Sequence, residues 1–135
     1  MTLLSAVVSA QSYIQVNRAY SGSGVDKALT LTVRNLSNKE MVIRNDYPVA
    51  SCVNYKYLNN SGTVLYDNIC NTFEDKYLTI IPAQSSKSFT FGVGNAARYL
   101  NNKNDIKTIR LRILIDYSIS GFGRNIFDAT DSVLF

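Results

Sequence analysis

Apolar and polar residues alternate with a period of two through most of the chain, the pattern of strands that bury one face. The clearest run spans residues 107–118. There Ile109, Leu111, Ile113, Ile115 and Tyr117 share one face, and Thr108, Arg110, Arg112 and Asp116 share the other. Residues 28–35 repeat the pattern, with Leu29, Leu31 and Val33 opposed to Thr30, Thr32 and Arg34. Shorter alternating runs predict strands at 12–18, 41–44, 77–81 and 88–93, and a closing strand at 125–135. Polar turns separate them at 21–24, 35–39 and 82–87, Pro48 separates the strand at 41–44 from the next, and a helical turn is expected around 96–100.

Two further runs, 51–58 and 63–70, flank Asn60-Ser61-Gly62. Gly62 suits the left-handed position of a three-residue hairpin loop. If the ladder runs on without interruption, Asn59 faces Thr63, Tyr57 faces Leu65, Val53 faces Ile69 and Cys52 faces Cys70. Directly opposed side chains lie close enough for a disulfide. The two cysteines are therefore a disulfide candidate, which would imply an oxidising compartment; the alternative is a pair of buried thiols acting as small apolar groups. Eight or nine short strands with frequent turns predict an all-β chain, an Ig-like or jelly-roll-like β-sandwich. Residues 12–135 form one domain. Residues 1–11 are read as an apolar N-terminal arm or the remnant of an export signal.

Composition narrows the chemistry. The 135 residues contain no histidine, which excludes Ser-His-Asp and Cys-His nucleophile systems and most catalytic zinc sites. With two cysteines and neither a CxxC nor a histidine, no metal site is expected. No cofactor, catalytic or metal residue is predicted. Glu74 with Asp75, and Asp128 with Asp131, are the carboxylate neighbours that folding could bring together. The GxG pieces at 92–94 and 121–123 lack a third glycine and a following helix, and read as turns or strand ends. Net charge is +4, with a local basic bias from Arg98 to Arg112. Arg110 and Arg112 could dock an acidic partner or form a solvated strand face. Nucleic-acid binding is not expected, because stacking aromatics do not interleave with these bases. No apolar run is long enough for a transmembrane helix. Tyr47, Tyr55, Tyr57 and Tyr66 cluster around the hairpin and are interface candidates or core-covering rings. Two glycosylation sequons occur, at 35–37 and 59–61.

Residues 29–93 contain LTLTVRNLSNKEMVI, then the hairpin VNYKYLNNSGTVLYD, then YLTIIPAQSSKSFTFGV. This layout resembles the bacterial intracellular proteinase inhibitor family and surface or periplasmic Ig-like modules. The resemblance is one of spacing and carries no inhibitory residue over. It implies an Ig-like architecture. The functional expectation is a non-enzymatic structural or interaction protein whose partners include copies of itself, such as a subunit of a virion or surface assembly. The alternative is a monomeric extracytoplasmic binding module, with protease inhibition as one form.

Overall fold

The computed structural model of the chain describes residues 13–45, 51–69, 71–73 and 77–135. Within them lie β1 (Ile14–Ser21), β2 (Ala28–Asn35), β3 (Met41–Arg44), β4 (Cys52–Leu58), β5 (Val64–Asp67), β6 (Asn71–Thr72), β7 (Leu78–Ile81), β8 (Ser86–Phe91), β9 (Thr108–Ile119) and β10 (Gly123–Leu134). A 3-10 turn covers Asn95–Tyr99, where a helical turn is expected from the sequence. No α-helix occurs among the described residues. The polar turn after Pro82 is shorter than its composition suggests, since β8 already begins at Ser86.

The strands form two sheets, and every pairing between described strands is antiparallel. One sheet has the order β1-β2-β8. The other runs β5-β4-β9-β3-β7, with β10 on β9 and β6 on β4. Their apolar faces meet in one core. Leu29, Leu31 and Val33 of β2, with Phe89 and Phe91 of β8, pack in the same cluster as Ile109, Leu111, Ile113, Ile115 and Tyr117 of β9. Each large side chain withdrawn from water contributes about 1.5–3 kcal/mol, so the alternation in β2 and β9 holds the two sheets together.

β9 organises the larger sheet. β10 pairs with it over the full twelve residues. Its other side is shared: β4 pairs with the stretch from Thr108 to Leu114, and β3 with Tyr117 to Ile119. β3 and β4 run in the same direction, so they act as one strand interrupted between Ile43 and Cys52. Ser51 fills the break. It is fully buried. Its hydroxyl donates to Arg44 O at 2.8 Å and accepts the main-chain N–H of Asp116 at 2.8 Å. The ladder's missing partner is thus replaced by a side chain, as a buried N–H requires.

The hairpin turn forms as expected. Gly62 adopts φ 82°, its N–H donates to Asn59 O, and Asn59 N–H donates to Thr63 O. The register beyond it does not run on. Leu58 faces Val64, but Tyr57 faces Tyr66, so Leu65 is an inserted residue. This β-bulge turns both Leu65 and Tyr66 toward the core, which strict alternation could not do. The ladder then breaks at residues 68–69, where the Asn54 side-chain amide bonds the carbonyls of Asn68 and Ile69. Past this point Val53 faces Asn71 and Cys52 faces Thr72. The strand expected at 63–70 is therefore shortened to Val64–Asp67, a second short piece, Asn71–Thr72, follows beyond it, and the residue opposite Cys52 is Thr72. Cys52 is buried. Cys70, and with it the disulfide candidate, lies outside the described residues, as do the segment 1–11, Tyr47, Glu74 and Asp75.

Candidate interaction surface

The outer face of the larger sheet gathers the predicted basic residues. β9 projects Arg110 and Arg112 outward. Register sets Asn54 of β4 and Thr130 of β10 on either side of Arg112, and Lys56 and Ser132 on either side of Arg110. Asn54, Lys56, Arg110, Leu111, Arg112 and Thr130 line a hollow of about 190 Å³. Arg112 forks onto Asp128, with Nε–Oδ1 at 3.1 Å and Nη2–Oδ2 at 2.8 Å. That hydrogen-bonded guanidinium holds the Asp128 carboxyl below its usual range. Lys56 lies 3.8 Å from Asp67. Pairs this exposed contribute little to stability.

β10 closes one side of the sheet. On its outer side it has no backbone partner among the described residues. Its side chains alternate strictly. Arg124, Ile126, Asp128, Thr130, Ser132 and Leu134 are exposed, while the residues between them are half-buried. Ile126 is 52% exposed. Arg124 lies over Asp116 of β9 with a bidentate contact, Nε to each carboxylate oxygen at 3.0 Å. Asp116 is almost wholly buried by its surroundings.

β1 of the smaller sheet lies along β10 and joins it through side chains. Arg18 donates Nε and Nη2 to the two carboxylate oxygens of Asp131, both at 3.0 Å. The Tyr20 hydroxyl donates to the same carboxylate at 2.7 Å. The Arg18 hydrogen bond, aided by Tyr20, lowers the Asp131 pKa against the opposing effect of burial. Burial first, then the bond to Asp131, raises that of Tyr20. At the other end of the seam the rings of Tyr13 and Phe122 meet at 5.2 Å. A hollow of about 320 Å³ near this end is lined by Ile14, Tyr117, Ile126, Phe127 and Asp128.

The remaining sequence candidates go elsewhere. Tyr55 and Tyr57 sit in the core, 5% and 0% exposed. The Tyr57 hydroxyl donates to Val93 O at 2.7 Å, and burial raises its pKa. Tyr66 is half-buried and stacks 5.3 Å from Tyr57. These rings cover the core, the second of the two readings open to them. Asp128 and Asp131 are not brought together: an odd spacing puts them on opposite faces of β10, each held by its own arginine. The GxG at 121–123 is the β9–β10 turn, with Gly121 and Gly123 at φ 91° and 72°. The first sequon is structural. Asn35 is fully buried, and its amide donates to the carbonyls of Lys39, Ile81 and Pro82 while its oxygen accepts from Ser37. In the second, the Asn59 oxygen accepts the N–H groups of Ser61 and Thr63.

Sequence reading missed the roles of Ser51, Arg18, Tyr20 and Arg124. Their partners lie far away in sequence for all but Arg124. For Arg18 and Tyr20 the available signal was slight, a polar residue on the inward face of a strand; nothing local marked Ser51, before β4, or Arg124, on the outward face of β10. Arg18 and Tyr20 share the phase of Ile14 and Val16, and Asp131 that of Phe127 and Val133. An inward-facing charge asks for a partner.

Among the described residues no group of three or more metal-ligating side chains occurs, and no helix is long and apolar enough to cross a membrane. No family model matches the chain, and no curated protein matches it significantly. Solved structures do. A structural-genomics target called SoR45 is similar at TM-score 0.48 and 10% identity, over 90% of this chain and 82% of that one. A Bordetella pertussis target given the name ApaA is similar at TM-score 0.52 and 8% identity, over 89% of each chain. A penta-heme cytochrome c552 from Thermochromatium tepidum is similar at 0.49 and 8%, over 93% of this chain and 40% of the cytochrome. At such identities the Bordetella likeness is one of fold alone. The class that follows is an all-β protein of two antiparallel sheets.

Proposed function

We propose that this chain is a non-enzymatic structural or interaction protein, an Ig-like β-sandwich that works through protein contacts and counts copies of itself among its partners. The observation that carries this reading is β10. It is a twelve-residue edge strand without proline, and it leaves its outer backbone groups without partners among the described residues. Proteins usually blunt such edges, because an unpaired row of N–H and C=O groups templates pairing with another chain. The apolar Ile126 and Leu134, 52% and 64% exposed, and the donor-rich hollow around Arg110 and Arg112 lie on the adjoining face. Together they offer backbone pairing, apolar area and charge within one surface.

The test is the mass of the full chain by light scattering, from low micromolar to near-millimolar concentration. A mass that rises to a dimer or beyond supports the reading. A monomer throughout, or substrate turnover lost when one Asp or Glu becomes its amide, overturns it.

A further inference from the structure

Resting on that reading, we propose that two copies join through β10, antiparallel across a two-fold axis at Ile126, so that their larger sheets become continuous.

The charges on the strand select this register. Among the outward residues of β10, only Arg124 and Asp128 are charged. An antiparallel strand paired with its own copy sets each residue opposite the one equally far beyond the axis. With the axis at Ile126, Arg124 of each copy faces Asp128 of the other. With the axis at Asp128 or at Arg124, like charges meet head-on, which is unfavourable for directly opposed side chains. Only the axis at Ile126 sets the two opposite charges directly across from each other.

Three further observations agree with it. First, Ile126 would lie on the axis against its own copy, removing the most exposed apolar side chain of the strand's first half from water. Second, Arg124 and Asp128 are already oriented by Asp116 and Arg112 within each chain. Pairing therefore links Asp116, Arg124, the second copy's Asp128 and its Arg112 into an alternating row of charges, with little further ordering of side chains. Third, the strand's other half is occupied. Asp131 turns inward to Arg18 and Tyr20, and an inward charge is one of the devices that discourages edge pairing. The register at Ile126 matches Gly123 to Ala129 of both copies and stops short of Asp131.

The register is tested by cross-linking. Full-length Ile126→Cys, mildly oxidised, is expected to form a covalent dimer whose linked peptide maps residue 126 to residue 126. Thr130→Cys, away from the axis, is expected to give no such self-link. Ile126→Lys opposes two ammonium groups on the axis and is expected to weaken association by roughly tenfold or more, while its unfolding midpoint as a monomer stays near that of the parent. If the parent associates but neither Ile126 variant behaves this way, the β10 pairing is wrong and the broader reading stands. If removal of residues 1–11 abolishes association and Ile126→Lys does not change it, the contact belongs to that segment and the proposal fails. If the parent is a monomer at every concentration, both fail.

Discussion

Ser51 Oγ accepts the main-chain N–H of Asp116 at 2.8 Å, sixty-five positions away in the chain. The bond sits where β3 ends and β4 begins against the same side of β9, and it lets two short strands serve as one. Removing the hydroxyl leaves the Asp116 N–H and the Arg44 carbonyl without it, in a place where Ser51 admits no water. Ser51→Ala is therefore expected to destabilise the fold by about 1–3 kcal/mol, read as a lower urea midpoint with an unchanged slope.

The seam between β1 and β10 predicts a pH dependence. The Asp131 pKa is lowered in the folded chain by Arg18 and Tyr20. A depressed carboxylate contributes stability above its unfolded pKa, and that contribution is lost as pH falls through the folded value. Stability should therefore drop on acidification below the ordinary carboxylate range. Asp131→Asn is expected to lower stability at neutral pH by about 1–3 kcal/mol and to flatten the acid limb of the denaturation profile.

Two fully buried tyrosines should respond in opposite ways to loss of the hydroxyl. Tyr57 donates to Val93 O, so Tyr57→Phe is expected to cost about 1 kcal/mol. The Tyr117 hydroxyl has no partner among the described residues. Tyr117→Phe removes only a desolvated polar group and is expected to be neutral or stabilising. Paired urea titrations read the difference.

Asn35 holds the turn after β2 to the end of β7 through three carbonyls. Asn35→Asp would aim a carboxylate at those same oxygens. It is expected to destabilise by about 3 kcal/mol or more, or to prevent folding, whereas Ser61→Ala, at the exposed hairpin loop, should leave stability within about 0.5 kcal/mol. Because Asn35 is sealed in the core, mass analysis of chain expressed in a glycosylating host should find no glycan on it.

Much of the strand layout was legible because burial acts residue by residue. Leu29, Leu31 and Val33 must share a face if any of them is buried, and Ile109 through Tyr117 likewise, whatever packs against them. The turn at Gly62 was legible for a similar reason, since a positive φ is a local demand. The Cys52 register was not. The bulge that admits both Leu65 and Tyr66 to the core moved the ladder by one residue, and the break at residues 68–69 moved it by one more. The basic residues on β9 could be assigned to one face, but nothing local placed Asp128 under Arg112 or Arg18 against Asp131.

From the linear chain alone came the period-two alternation, the turns and the lack of any imidazole, because each is a property of a residue and its near neighbours. The folded molecule decided which strand lies beside which, that β3 and β4 share one side of β9, and that β10 has no strand on its outer side among the described residues, with Ile126 outward. These follow from competition among distant segments for one core, and hydrogen bonds and ion pairs settle only after that competition has brought their partners within reach.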